Sequence, residues 1–188
     1  MANKWDDIYT NGKQLNKYPT ELLVSWIFKN RVKEGAKVLD VGCGFGNNLK
    51  FLLNEGFNAF GIDYSNVVID LIAENFADRV SCQSVLSLNF PDKSFDYVAD
   101  RQCIQLVGVN HLSTAYSECA RILKPKGRMF SNFLIETGTD EDKMVVEEKN
   151  LDLIVSENFI TLEKNYNLLT TENGSNKHKT IIYTLQKK

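Results

Sequence analysis

Val38-Leu39-Asp40-Val41-Gly42-Cys43-Gly44-Phe45-Gly46, followed seventeen residues later by Asp63, is the stretch on which the fold turns. The run from Val38 to Val41 is apolar apart from Asp40, the pattern of a buried strand, and three glycines at alternate positions close it. A helical pattern starts directly behind them over residues 47–54 and stops at Gly56. A second apolar run, residues 57–62, ends in the Asp63 carboxylate. Glycines let the chain turn sharply and let a ligand lie against bare main chain, where a Cβ would take the same space. An acid closing the second strand can accept both hydroxyls of a ribose. The spacing then separates two ligand classes. A dinucleotide site calls for G-x-G-x-x-G, with the pyrophosphate on the following helix N-terminus. Here the pattern is G-x-G-x-G, Asp40 stands two residues ahead, and the loop has no Lys or Arg. It suits a nucleoside that carries an amino acid, not a diphosphate.

At 188 residues the chain fits one domain with a substantial core. A net charge of −2 and a pI near 5.8 provide no general attraction to a phosphate backbone, which argues against a nucleic-acid substrate. The apolar runs stop short of a membrane span, and residues 1–7 lack the basic start and apolar core of a signal peptide. Cys43, Cys82, Cys103 and Cys119 stand alone at no metal-ligand spacing, so no metal is expected. They read as reduced core thiols of a cytoplasmic protein.

Outward from the glycine loop, Pro19 opens a helix carrying Leu22, Leu23, Trp26 and Ile27 at helical spacing. Residues 36–41 and 57–62 are the first two strands. Ser65 caps a helix whose stripe is Val67, Val68, Leu71, Ile72 and Phe76. Residues 80–84 read as a third strand and 95–99 as a fourth, introduced by the turn Pro91-Asp92-Lys93-Ser94. A helix over 112–123 ends at Pro125 and Gly127, and 129–135 is a fifth strand. A polar loop at 137–142 precedes a helix over 144–155. Residues 159–170 and 180–186 alternate like strands around a polar connector containing Asn173-Gly174, a hairpin. Strands alternating with helices and closed by a hairpin give a doubly wound α/β domain. The expected layout is one domain: a helical cap over 1–34, a cofactor-binding core over 35–135, and a helix and hairpin over 136–188.

Five segments in order, spanning about residues 38–127, resemble a known family. These are the glycine stretch, Gly61-Ile62-Asp63-Tyr64-Ser65, the segment from Leu88 to Asp96, Cys103-Ile104-Gln105, and Glu118-Cys119-Ala120-Arg121-Ile122-Leu123-Lys124-Pro125-Lys126-Gly127. Together they are similar to the compact class I S-adenosylmethionine-dependent methyltransferases that act on small molecules. The resemblance implies a Rossmann-like αβα sandwich on a mostly parallel seven-stranded sheet with a C-terminal antiparallel hairpin. It also implies S-adenosylmethionine as cofactor and S-adenosylhomocysteine as product. Cofactor contacts are expected at Asp40, Gly42, Cys43, Gly44, Gly46, Asp63, Tyr64, Ser84, Val85 and Arg101. Two positions depart from the family. Ser84 stands where an acid often bonds the adenine amino group, and Leu106 stands where many relatives have a histidine.

Trp5, Tyr9 and Tyr18 precede or start the first helix and are expected to wall the substrate pocket. Asp100 and Arg101 close the fourth strand, where ligands gather in this architecture. Asp100 and His111 are the two candidates for a proton acceptor, and Arg121 through Gly127 is read as structural. The expected function is methyl transfer to a small-molecule acceptor by direct displacement, favouring an acceptor that is nucleophilic without a base. The short variable segments imply an open site, a small acceptor, or a pocket completed by a second copy in a homodimer. Two rivals remain: a nicotinamide-dependent oxidoreductase, and a cofactor-binding but inactive domain that serves as a partner or regulator.

Overall fold

The computed structural model describes residues 4–12, 17–136, 146–170 and 177–188. Its elements, in chain order, are α1 (Lys4–Thr10), α2 (Glu21–Lys29), β1 (Lys37–Val41), α3 (Asn47–Asn54), β2 (Asn58–Asp63), α4 (Asn66–Phe76), β3 (Val80–Cys82), β4 (Phe95–Arg101), α5 (Leu112–Ile122), β5 (Leu123–Glu136), α6 (Glu148–Asn158), β6 (Phe159–Thr170) and β7 (Lys177–Lys187). The seven strands form one sheet in the order β3-β2-β1-β4-β5-β7-β6. The first five are parallel, and β7 runs antiparallel to both β5 and β6. This is the mixed doubly wound sheet with a C-terminal antiparallel pair that the alternation of periods implied.

Strand alternation sorts the core onto two faces. Val38, Ala59, Ala99 and Phe130 face α2 and α3, meeting Leu23, Trp26, Ile27, Leu49 and Leu52. Leu39, Val41, Val98, Met129 and Phe133 point the other way, toward Leu112, Tyr116 and Cys119 of α5 and Leu151 and Val155 of α6. Trp26 is buried, yet its indole N–H donates to Thr184 Oγ1 at 2.9 Å, so the ring fills the core without orphaning its donor. The glycine loop runs on from β1 and is pinned to β2 by the amides of Gly42 and Cys43, which both donate to the Ile62 carbonyl. The carboxyl ends of β1, β2 and β4 thereby meet at one edge of the sheet, where the order turns about β1.

Four boundaries differ from the sequence reading. Helix α1 was not foreseen: seven residues are too few to show a period, and it is held mainly by Tyr9 and Trp5 against the glycine loop and α4. Strand β3 ends at Cys82, two residues early, as Gln83 turns its amide to the Asp63 carbonyl. Strand β5 begins at Leu123, immediately after α5, not at residue 129. Pro125 and Gly127 do not separate the two elements but lie in a register shift, with Lys126 in the left-handed region. Helix α6 runs on to Asn158, abutting β6. The polar loop and the Asn173-Gly174 connector lie outside the described residues.

Arg121 is the centre of a clamp. Its guanidinium donates to both Glu118 carboxylate oxygens, to Asp92, and to the carbonyls of Leu88 and Phe90, while Glu118 also accepts the Leu88 amide. The fork geometry of Arg suits such divergent acceptors. The segment leading into β4 is fixed to α5 this way, the structural role expected of the Arg121 motif.

Candidate active site

A cleft of about 550 Å³ opens over the carboxyl ends of β1, β2 and β4. One flank is formed by Asp63, Tyr64, Gln83, Ser84, Val85 and Leu86. The floor is Gly42, Cys43 and Gly44, and the other flank is Arg101 through Cys103 with Gln105 to Val107. Trp5, Tyr9, Tyr18 and Phe45 supply an aromatic wall. Tyr9 packs edge-on against Phe45 and tilted against Trp5, which holds α1 across the opening.

The three glycines serve different ends. All have positive φ, from 49° to 75°, which a residue with a Cβ adopts at a cost. A Cβ on Gly42 would strike Cys103, and one on Gly46 would lie 2.5 Å from the Phe76 ring. Only at Gly44 is the space nearly open, its nearest neighbour being the Tyr9 hydroxyl at 3.4 Å. Gly44 is therefore the position at which a ligand can touch bare backbone. Gly46 is buried and does not line the cleft: it lets α4 pack close.

Asp63 is nearly buried and well braced. Oδ1 accepts the Ser65 amide and Oδ2 the Gly44 amide, both at 3.0 Å, and the Tyr9 hydroxyl donates to Oδ2 at 3.3 Å. Burial pushes its pKa up, while these donors pull it back down. Ser65 also caps α4, accepting from the Val68 amide, and its hydroxyl bonds Asp6 of α1. Tyr64 is 65% exposed beside Asp63. The Ser84 hydroxyl accepts the Leu86 amide at 3.2 Å, and its proton is left available to the cleft.

Asp40 lies beneath the loop, fully buried, and its Oδ2 has no hydrogen-bond partner among the described residues. Burial raises its pKa to about 7, the Asn48 side chain opposes this, and Asp100 and Asp63 add to it. A buried carboxylate with a free oxygen suits a cation presented from the cleft. It also sets a sign for stability. Because the folded pKa lies above the unfolded one, the contribution is fully present below about pH 4 and is lost as pH rises through 7. Asp40→Asn, which never ionises, is expected to be more stable than wild type at pH 8 by on the order of 2 kcal/mol. The gap should shrink by pH 5. Urea denaturation at the two pH values checks this. An Asn variant less stable by the same amount at both would mean that Oδ2 has a partner.

The two candidate proton acceptors fall outside the cleft lining. Asp100 is completely buried: Oδ1 accepts the Cys103 and Ile104 amides at 2.9 and 3.1 Å, and Oδ2 accepts the Ser131 hydroxyl at 2.9 Å. Burial raises its pKa to about 6. It is a brace for the turn after β4. His111 is exposed at the start of α5. Arg101, Tyr18 and the other expected contacts line the cleft, except Asp40 and Gly46, which are buried behind it. Sequence reasoning gave no site role to Phe45, Asn48 or Gln105, although Phe45 and Gln105 lie in segments that carry the family resemblance. Asn48 bonds the Thr20 amide, and Gln105 accepts the Leu134 amide, so both tie the wall to distant segments through contacts that no local pattern announces.

Comparison with known proteins agrees with this geometry. The family described as "Methyltransferase domain" matches residues 39–131. The chain is 26% identical over 138 residues to phosphoethanolamine N-methyltransferase of Plasmodium falciparum, covering 68% of this chain and 52% of that protein. It is 30% identical over 108 residues to the probable tRNA methyltransferase 9B of Homo sapiens, covering 54% of this chain and 22% of that protein. Among solved structures, Haemonchus contortus phosphoethanolamine N-methyltransferase 2, in complex with phosphomonomethylethanolamine and S-adenosylhomocysteine, superposes with a TM-score of 0.70 at 16% identity. That match covers 97% of this chain and 56% of the other. The chain thus spans about half, or less, of the curated relatives it matches.

Proposed function

From residue 39 to residue 131 the chain belongs to the methyltransferase-domain family, and on that premise we propose that it transfers the methyl group of S-adenosylmethionine to a small-molecule acceptor. The observation that carries the reading is the cleft itself: a carboxylate at Asp63, open backbone at Gly44, and an unpartnered buried oxygen on Asp40 behind them. These fit a nucleoside bearing an amino acid. When bound, the cofactor supplies a methyl carbon already activated by the sulfonium charge; as the acceptor's lone pair bonds to it, the C–S pair returns to sulfur and leaves S-adenosylhomocysteine.

The chain's own part is to bind and align. Asp63 takes the ribose hydroxyls in place of the Tyr9 hydroxyl that it accepts here. Tyr64, Ser84 and Val85 border the adenine, with the Ser84 hydroxyl replacing the usual acid. Gly42, Cys43 and Gly44 floor the amino-acid tail, and Asp40 faces its ammonium. Gly46 acts one step back, through the loop it shapes. Asp100 is a positioning residue for the turn from Arg101 to Ile104. Trp5, Tyr9 and Tyr18 wall the acceptor. Among the described residues that line the cleft there is no histidine, lysine or glutamate, which favours an acceptor that is nucleophilic without a base. Proximity and alignment alone can contribute ~7–11 kcal/mol to such a displacement.

Leu106 and Ser84 favour one second reading, a cofactor-binding partner or regulator without turnover. Incubation with S-adenosylmethionine and a panel of small amines, carboxylates, thiols and phenols, following S-adenosylhomocysteine formation, separates the two. Acceptor-dependent product supports the transferase. Tight S-adenosylhomocysteine binding without product on any acceptor supports the partner.

A further inference from the structure

We infer that Arg101 selects the acceptor, and that the acceptor bears an anionic oxyacid group, a carboxylate or a phosphate; this rests on the methyltransferase reading of the same cleft. Among the described residues that line the cleft, Arg101 is the sole cation and Asp63 the sole acid. The two stand on opposite sides of β1, since Asp63 ends β2 and Arg101 ends β4. Asp63 belongs to the ribose side, with Tyr64, Ser84 and Val85 around it. Arg101 faces the other half, among Gln102, Gln105, Leu106 and Val107, and none of these neighbours carries charge.

Its guanidinium is exposed and makes no ion pair or hydrogen bond among the described residues. The backbone that presents it is fixed: Asp100 accepts two amides of the following turn, and the Gln102 amide donates to the Asn132 carbonyl with Gln102 in the left-handed region. A rigid root under an uncommitted, planar five-donor head is the arrangement that reads carboxylate or phosphate. The field agrees. Among the described residues, the guanidinium is the one charge lining that half of the cleft, with Asp63 on the far side of β1 and Asp40 buried beneath the loop. An anion is drawn into that half of the cleft, and a purely cationic acceptor is repelled.

Matched acceptors test this directly. Glycine and aminomethylphosphonate are compared with methylamine, and 4-hydroxybenzoate and 4-hydroxyphenylphosphonate with phenol, each with S-adenosylmethionine and following S-adenosylhomocysteine. The expected result is that, within a series that turns over, an anion-bearing member exceeds the partner without the anion at least tenfold in kcat/KM. The carboxylate and phosphate arms show which oxyacid is read. Arg101→Gln should erase that preference by raising KM at least tenfold, while S-adenosylhomocysteine affinity stays within twofold, and Arg101→Lys should restore part of it. Equal use of partners with and without the anion, or no turnover of any of them, overturns the inference. So does an S-adenosylhomocysteine affinity that falls tenfold in Arg101→Gln, which would give the guanidinium to the cofactor. If wild type does not bind S-adenosylhomocysteine at all, it is the methyltransferase reading that fails.

Discussion

Asp63→Ala is expected to weaken S-adenosylhomocysteine binding a hundredfold or more. Two hydrogen bonds from ribose hydroxyls to an ionised, nearly buried carboxylate are each worth about 1.5–3 kcal/mol. Part of that is offset, because the Tyr9 hydroxyl must first leave Oδ2. The net loss is on the order of 3 kcal/mol, near two decades in affinity. The same substitution removes the acceptor of the Gly44 and Ser65 amides, so some loss of stability is expected as well. Asp63→Asn keeps an oxygen for those amides and lets the two effects be read apart. Calorimetric titration of both variants, with urea denaturation alongside, measures them. Wild-type affinity in a folded Ala variant would remove Asp63 from the ribose.

Gly46→Ala carries the largest expected effect on stability, about 3 kcal/mol. A φ of +75° costs a residue with a Cβ roughly 1–2 kcal/mol, and the new Cβ would lie 2.5 Å from Phe76 Cε2 and 2.8 Å from Cζ. In a Phe76→Ala background the clash is absent, and the additional cost of Gly46→Ala should fall to about 1 kcal/mol. Denaturant titration of the four proteins gives the coupling. Equal costs in both backgrounds would show that the strain is in the backbone alone. Gly44→Ala is the contrast: its Cβ has nearly open space, so its main effect should be on ligand binding.

The sheet was legible because each strand of the first half is short, apolar and followed by a patterned helix, and because Ser65, Gly56 and the glycine loop mark where elements stop. The doubly wound class followed from alternation plus a terminal hairpin, while the strand order came from the structure. Short and composite features were not legible. Helix α1 shows no period, and the start of β5 was hidden by Pro125 and Gly127, which signal a break but here occupy a bulge. At the site, the residues of the glycine loop and Asp63 were readable from spacing. Their division of labour was not, because whether a glycine makes room for a ligand or for Phe76 depends on packing across 30 residues. Asp100 is the sharper case. Its place at a strand end suggested chemistry, yet three donors from its own turn and from β5 enclose it.

This cleft is expected to hold the nucleoside and amino-acid tail shared by S-adenosylmethionine and S-adenosylhomocysteine. Calorimetric titration of the wild-type chain with S-adenosylhomocysteine, with NAD as the control, tests it most directly. The account predicts one site of micromolar affinity for S-adenosylhomocysteine and no heat with NAD. Binding of NAD in preference, or of neither, would contradict it.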